Sequence, residues 1–175
     1  MAEKSLTAKL LIYILIAASG CAMHRGFSGS TKAPHTGTHS SKKAEERLRT
    51  DITDYAKKHV GTKYRYGGNS PTGFDCSGFV SYIMRNYDVP VSGPSYSQEK
   101  LGKKISKEDA QPGDLVFFRK TKNGKVFHVA IVYSNDRGKL TLIHSTSSRG
   151  VVMDKLDESS YWKSKVATFR DVVSG

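Results

Sequence analysis

A loop gives way to an amphipathic helix within the stretch Phe74-Asp75-Cys76-Ser77-Gly78-Phe79-Val80-Ser81-Tyr82-Ile83-Met84. Its large apolar residues recur at i, i+1, i+4 and i+5, which is the spacing of one helical face. Asp75 stands just before them, and Asp favours the N-cap position, so the helix is predicted to begin at Asp75 or Cys76. Residues 62–75 are dense in Gly, Pro, Asn and Ser, which predicts a loop that brings Cys76 to the helix start.

The segments on either side of this stretch indicate the fold class. Upstream, residues 43–60 carry apolar residues at helical spacing with charges between them, which predicts an amphipathic helix ended by Gly61. Downstream the apolar period changes to that of strands, with turn signals at Asn123-Gly124 and at residues 135–138. Helices followed by hairpin-linked strands predict an α+β domain with an antiparallel sheet. The predicted strands are residues 114–118, 126–133, 139–144, 150–153 and 166–172.

Cys76 is the candidate nucleophile because of its place at a helix start. Backbone N–H groups there carry partial positive charge, which favours a thiolate over a thiol. His128 lies within one predicted strand and His144 ends the next, and antiparallel neighbours bring such residues onto one face. The three residues predict a Cys-His-His set in which Cys76 attacks, His128 takes its proton and His144 fixes the tautomer of His128.

Other interpretations of these side chains are weaker. A buried structural cysteine is one, but the small or polar neighbours of Cys76 are not those of an apolar helix face. A zinc site made by Cys76, His128 and His144 is another, but it lacks the paired ligand spacing typical of such sites. No metal or other cofactor is therefore expected. His59, near the end of the first predicted helix, is expected to be solvated or to face the helix dipole.

Residues 1–20 predict an export signal. Lys4 and Lys9 precede the uncharged run 10–18, which at 1.5 Å per residue is too short to cross about 30 Å of hydrocarbon. Small residues then lead to Cys21, and the pattern resembles a lipobox, which implies cleavage before Cys21 and a diacylglycerol on its thiol. Such acyl chains would anchor the protein on a membrane. A plain signal peptide with an incidental cysteine is the alternative.

Residues 21–42 predict a lipidated, flexible tether. They are rich in Ser, Thr and Gly, and large apolar residues such as Phe27 are too few to bury against a core. Three histidines, His24, His35 and His39, are irregularly spaced and are expected to be solvated rather than to bind metal. Ala22 follows Cys21, and that choice resembles lipoproteins sorted to the outer membrane of double-membraned bacteria.

Composition limits the function further. A chain of 175 residues supports one domain with a tail, and two cysteines exclude a disulfide-dense scaffold and a four-cysteine zinc site. The net charge of +12 indicates an anionic partner, for which nucleic acid, lipid headgroups and wall polymers all qualify. Residues 1–65, with 12 Lys+Arg and 5 Asp+Glu, hold more than half of the excess, and no aromatic-basic recognition motif is present. Nucleic acid is therefore not expected.

Five ordered segments resemble the NlpC-type bacterial cell-wall endopeptidases, which are papain-like cysteine peptidases acting on peptidoglycan stem peptides. The resemblance runs from about residue 47 to the C-terminus and is specific as an ordered set. It implies a papain-like fold, with N-terminal helices packed on a central antiparallel sheet. The segments are Gly61-Thr62-Lys63-Tyr64-Arg65-Tyr66-Gly67-Gly68, Phe74-Asp75-Cys76-Ser77-Gly78-Phe79-Val80, Pro112-Gly113-Asp114-Leu115-Val116-Phe117-Phe118, His128-Val129-Ala130-Ile131-Val132-Tyr133 and Ile143-His144-Ser145-Thr146.

The resemblance also implies further site residues. Tyr64 falls where the family has a tyrosine, whose phenol would help to hold the oxyanion or the substrate beside the backbone N–H of Cys76. Asp75 and Ser77 would shape the substrate pocket. Many members carry an Arg-x-Ser/Thr piece downstream; here Ser95 supplies the hydroxyl and Gly93 replaces the arginine, which alters stem-peptide recognition.

The sequence thus predicts a lipid-anchored, monomeric peptidoglycan endopeptidase whose catalytic domain spans residues 43–175. Its place is the cell envelope, and the outer membrane facing the periplasm if the organism is double-membraned. The cleaved bond is either D-γ-glutamyl to the diamino acid or the cross-link from D-alanine to diaminopimelate, with a weak preference for the cross-link. The alternative is a catalytically silent cell-wall-binding lipoprotein, motivated by the charge and the tether.

Overall fold

The computed structural model of the protein describes residues 37–174. The predicted signal peptide, Cys21, His24, His35 and most of the predicted tether lie outside these residues. Within the described range, no helix combines the length and the apolar character that crossing a membrane would need.

The first helix, α1, spans Gly37–Lys57, and so begins six residues before the predicted start and ends three before the predicted end. Residues 37–42, assigned by composition to the tether, are thus helical, and His39 is an exposed helix residue. The described side chains before Glu45 are all exposed, so this extension carries no apolar pattern that the sequence could reveal. After the helix, Gly61 adopts a positive φ of 89°, in the region that favours glycine.

The second helix, α2, spans Cys76–Arg85 and confirms the predicted start. Asp75 is its N-cap, and the residues buried on its inner face are those of the predicted apolar stripe. The preceding loop contains a small hairpin, β1 (Asn69–Ser70) and β2 (Gly73–Phe74), which the sequence did not indicate. Two short helices follow along the chain, α3 (Ser95–Gln98) and α4 (Ser160–Lys163).

Six antiparallel strands form the main sheet, in the order β3-β8-β4-β5-β6-β7. The α+β class with an antiparallel sheet is confirmed. Five of the strands were predicted; β3 is short and mostly exposed, and was not. At the predicted turn between β5 and β6, Arg137 and Gly138 both have positive φ, as in a type I′ hairpin. The strands are β3 (Lys103–Ile105), β4 (Leu115–Arg119), β5 (Val126–Asp136), β6 (Lys139–Thr146), β7 (Gly150–Lys155) and β8 (Val166–Asp171).

The sheet has a core on each face. Successive side chains of a strand point to opposite faces, so Phe117 and Ile131 join α1 and α2 in one cluster. Phe118 and Val132 join Trp162 of α4 in the other. Since the central strands are buried on both faces, the sheet is a rigid base for any side chain at the ends of β5 and β6.

Arg49 fastens α1 to the sheet. Its side chain is buried and donates hydrogen bonds to the carboxylates of Asp114 (2.7 Å) and Asp171 (2.9 Å), and to the carbonyl oxygen of Pro112 (3.1 Å). Its fourth contact is the nearby Glu45 carboxylate, one turn back on the helix (2.9 Å). The guanidinium therefore joins α1 to the start of β4 and the end of β8.

Candidate active site

Asp75 holds the start of α2 against the loop before it. Its carboxylate accepts hydrogen bonds from the backbone N–H of Gly78 (2.6 Å), the hydroxyl of Ser77 (3.1 Å) and the backbone N–H of Gly67 (3.0 Å). These bonds fix the residues on both sides of Cys76. Asp75 and Ser77 were expected to shape the substrate pocket; in the structure they form this cap, and neither lines the cleft that contains Cys76.

Two glycines allow the loop and the helix to approach each other closely. A Cβ on Gly78 would overlap the carbonyl oxygen of Gly68, and a Cβ on Gly68 would overlap the backbone of Gly73. At Gly68 and Gly78, glycine is required because backbone packs directly on backbone.

The thiol of Cys76 lies against β5. Cys76 is partly buried, and the backbone N–H of Val129 is directed at its sulfur. His128 precedes Val129 and is buried, with 6% of its surface exposed. Both Cys76 and His128 border one cleft of about 680 Å³. The structure therefore brings the predicted nucleophile and the predicted base to the same cleft.

His128 and His144 are joined directly. The ring nitrogen Nε2 of His128 lies 2.9 Å from Nδ1 of His144. In the β5–β6 ladder Ile131 pairs with Ile143, so one residue further Ala130 faces His144, and His128 is the diagonal neighbour on the same face. The predicted juxtaposition of the two histidines thus follows from the register of the hairpin.

The hydrogen-bonded chain continues beyond the predicted residues. Nε2 of His144 lies 3.0 Å from Oδ2 of Asp154 on β7. Arg149, in the turn before β7, donates to both oxygens of that carboxylate, with Nη1 2.9 Å from Oδ1. The sequence interpretation included neither residue. No local motif marks them, because their approach to His144 depends on the pairing of β6 with β7.

Trp162 supports the base from the side. Its ring stacks on the imidazole of His128, with centroids 4.5 Å apart and planes at 25°. Phe118 packs on His128 as well, at 5.7 Å. Trp162 is distant in sequence from both histidines, and the single tryptophan carried no signal in the sequence beyond its size. It restricts the rotation of the His128 imidazole by packing.

Burial is the largest influence on the pKa values of Cys76 and His128. Desolvation, and then the charge of Asp75, raise the pKa of the Cys76 thiol, against the opposing N–H groups of Val129 and Ser77. Desolvation, and then His144, hold the pKa of His128 well below its ordinary value. The helix start was expected to favour a thiolate. Burial opposes that effect here, because it favours the uncharged forms of both side chains.

Tyr64 and Cys76 line the same cleft. Burial, followed by the charges of Cys76 and Asp75, raises the pKa of the Tyr64 phenol. The phenol thus stays protonated and is a hydrogen-bond donor. The whole lining consists of Tyr64, Cys76, Phe127, His128, Ser145, Thr146, Ser147, Ser148, Arg149, Asp154, Ser159, Tyr161 and Trp162.

Ser95, Gly93 and His59 lie away from these side chains. Ser95 is buried at the start of α3 and does not line the cleft, and Gly93 adopts a positive φ of 84° in the loop before it. His59, expected to be solvated or to face the helix dipole, is half-buried rather than solvated. Its ring packs edge-on against Tyr55 and Phe74, at 5.1 and 5.6 Å between centroids, and burial lowers its pKa.

Metal-ligating side chains do not converge within residues 37–174, where no group of three or more His, Cys, Asp or Glu is placed to hold an ion. Both ring nitrogens of His144 are already occupied, one by His128 and one by Asp154. Of the three side chains that were weighed as zinc ligands, His128 and His144 are hydrogen-bonded to each other.

An α+β fold in which a helix-start cysteine meets two histidines on adjacent strands defines a papain-like cysteine peptidase. More particularly, the NlpC/P60 family profile matches residues 61–171, and the chain belongs to that family. The predicted family, fold class and enzyme class are confirmed.

Similar proteins carry the names of peptidases. The chain is 37% identical over 113 residues to the probable endopeptidase NlpC of Escherichia coli K12, covering 64% of this chain and 70% of that protein. It is 33% identical over 128 residues to the murein DD-endopeptidase MepS/murein LD-carboxypeptidase of the same organism, covering 73% and 64%. A crystal structure of an NlpC/P60 family protein from Bacillus cereus superposes with a TM-score of 0.66 at 31% identity, covering 71% of this chain and 40% of that one.

Proposed function

We propose that this enzyme hydrolyses peptide bonds of peptidoglycan, with Cys76 as nucleophile, His128 as general base and His144 as the residue that orients His128. The observation that carries this proposal is the arrangement of Cys76 and His128 in one cleft, with Nε2 of His128 bonded to His144 at 2.9 Å. Because Nε2 is occupied, Nδ1 is the nitrogen left to take the thiol proton.

The reaction follows from these positions. As the sulfur of Cys76 attacks the carbonyl carbon of the scissile bond, its proton passes to Nδ1 of His128. The backbone N–H of Cys76 and the phenol of Tyr64 donate to the oxyanion that forms. His128 then returns the proton to the leaving amine, the C–N bond breaks, and a thioester remains on Cys76. Water, deprotonated by the same imidazole, hydrolyses the thioester and restores the free thiol.

The substrate proposal is supported by the relatives and by the cleft. The two similar proteins from Escherichia coli are named as endopeptidases, one of them acting on murein DD bonds. The cleft is lined by the exposed residues Ser147 and Ser148 as well as by aromatic rings. We favour the D-alanine cross-link over the D-γ-glutamyl bond.

A digestion of purified muropeptides tests this function. The wild-type chain is expected to produce new stem-peptide termini, identified by mass, and Cys76→Ala to produce none. Equal product formation by both proteins would reject the nucleophile. Silence of both, with retained binding to sacculi, would favour the catalytically silent wall-binding lipoprotein.

We further propose that the protein is a lipoprotein that acts as a monomer at the cell envelope. Support comes from the sequence pattern before Cys21, the Ser/Thr/Gly-rich residues after it and the net charge of +12, which suits an anionic surface. A Cys21→Ser variant is expected to leave the membrane fraction. Its retention there would reject the lipid anchor while leaving the peptidase assignment intact.

A further inference from the structure

Asp154 completes a hydrogen-bonded chain that starts at the nucleophile's base. Its Oδ2 lies 3.0 Å from Nε2 of His144, whose side chain has no exposed surface. Its own side chain is 16% exposed and lines the same cleft as Cys76 and His128. The carboxylate therefore lies between solvent at the cleft and a fully buried imidazole.

The sheet register builds this contact. In the β6–β7 ladder His144 pairs with Val152 and Leu142 pairs with Asp154. Residues two apart on a strand share a face, so Asp154 is the diagonal neighbour of His144 on the face that also carries His128. A strand, rather than a mobile loop, positions the carboxylate.

The hydrogen-bonding capacity of Asp154 determines which ring nitrogen of each histidine carries a hydrogen. A carboxylate only accepts, so Nε2 of His144 carries the hydrogen. In a neutral His144 the other nitrogen, Nδ1, is then bare and accepts from Nε2–H of His128. When His128 is neutral and its hydrogen is on Nε2, its Nδ1 carries no hydrogen. One carboxylate thereby sets the tautomer of both histidines and exposes the nitrogen that the thiol proton needs.

We propose that Asp154 is a positioning residue of this peptidase, which holds both imidazoles in the tautomer that makes Nδ1 of His128 the base. The inference rests on the proposed roles of Cys76 and His128. During attack the proton leaves the sulfur and a positive charge appears on His128; the negative Asp154, one imidazole away, stabilises it. Asp154 itself gains no proton in this step.

Arg149 helps to keep the Asp154 carboxylate ionised and oriented toward His144. It donates to both oxygens of Asp154, and it is half-exposed at the edge of the cleft. The hydrogen bond from His144, and then that from Arg149, lower the pKa of Asp154 far below its ordinary value. Among residues 37–174, His144 from β6 and Arg149 from the β6–β7 turn are the charged or titratable groups bonded to this carboxylate.

The rate at which Cys76 is alkylated reports on the basicity of His128 and can be measured without any substrate. The protein is the full chain with Cys21→Ser, in which Cys76 is the only thiol. Iodoacetamide forms the S–C bond, iodide leaves and the base takes the proton; intact mass follows the rate from about pH 5 to about pH 9. Asp154→Asn and Asp154→Ala are expected to slow the reaction about tenfold at neutral pH and to move the rise of the profile to higher pH.

A neighbouring ion pair provides the matched control. Glu158 pairs with Lys155 at 2.9 Å on the surface, with both side chains largely exposed and no contact with a histidine. Glu158→Gln removes one carboxylate of the same region and is expected to alkylate like the parent chain. Equal rates and profiles for the Asp154 variants and the parent would overturn the inference.

Nitrogen chemical shifts of the histidines test the same inference in the unmodified protein, even if the Asp154 variants do not fold. His144 and His128 are both expected as the Nε2–H tautomer; an Nδ1–H tautomer at either ring would overturn the inference. These readouts need no peptidoglycan. If the alkylation rate of Cys76 depends on Asp154 but the protein cleaves no muropeptide, the proposed function is rejected and the inference about Asp154 stands.

Discussion

Ser145 donates a hydrogen bond of 2.7 Å to the carbonyl oxygen of Phe74, with both residues fully buried. Ser145 follows His144 on β6, and Phe74 precedes the N-cap of α2. This one bond therefore joins the strand that carries the orienting histidine to the loop that delivers Cys76. The positions of the nucleophile and of the base are coupled through it.

Replacing Ser145 by Ala is expected to damage both stability and catalysis. The carbonyl of Phe74 would stay buried without a donor, which costs about 1–3 kcal/mol of unfolding free energy. The rate constant kcat is expected to fall more than KM rises, since the loop that holds Cys76 loses its attachment. Denaturant unfolding and steady-state kinetics measure the two effects. Ser92→Ala, at an exposed loop position that does not line the cleft, is the control and should change neither.

Tyr64→Phe tests the oxyanion donor. Loss of one such donor lowers kcat by about 10²-fold, because the bond strengthens only as charge develops on the oxygen. Tyr64 shares the cleft with Cys76, whereas Tyr66 is 90% exposed and does not line that cleft. Tyr66→Phe is therefore expected to keep the parent kcat. A Tyr64→Phe enzyme with unchanged kcat and raised KM would assign the phenol to substrate binding instead.

Arg49→Met tests the attachment of α1. The substitution leaves the carboxylates of Asp114 and Asp171 without their buried partner, and losing one side of such a network costs about 3–5 kcal/mol. Thermal or denaturant unfolding at neutral pH measures the loss. Arg47→Met, at an exposed position of the same helix, is expected to change stability little. Similar losses in both variants would show that the buried ion pairs are not what fastens the helix.

The lowered pKa of His128 predicts a dependence of stability on pH. A histidine kept neutral by folding binds its proton more readily in the unfolded chain, whose pKa is about 6.5. Its contribution is fully present above that value and is lost as the pH falls below it. Unfolding free energies of the parent are therefore expected to decline from neutral pH towards about pH 5, and those of His128→Gln to decline less. His39→Gln, exposed on α1, should follow the parent curve.

Local patterns were sufficient for the centre of the site. The N-cap at Asp75, the helix start at Cys76 and the strands carrying His128 and His144 each depend on a few neighbouring residues, and the sequence predicted all of them. The resemblance then supplied Tyr64, which the structure places in the cleft of Cys76. The roles of these residues remain predictions that the variants above test.

The outer part of the site depends on contacts that no short pattern encodes. Asp154 reaches His144 only through the register of β6 with β7, and Trp162 reaches His128 only through the packing of α4 on the sheet. The preference for a thiolate at Cys76 was inferred from the helix start alone. How deeply the thiol is buried, which opposes that preference by raising the pKa of Cys76, is a property of the assembled fold.

An acid quench of the enzyme during turnover of a purified cross-linked muropeptide tests the central claim most directly. We expect intact mass to show the chain enlarged by the acyl fragment of the substrate, and peptide mapping to place the adduct on Cys76. The mass of that fragment also identifies the cleaved bond. An adduct on another residue, or undiminished cleavage by Cys76→Ala, would contradict the assignment of Cys76 as the nucleophile.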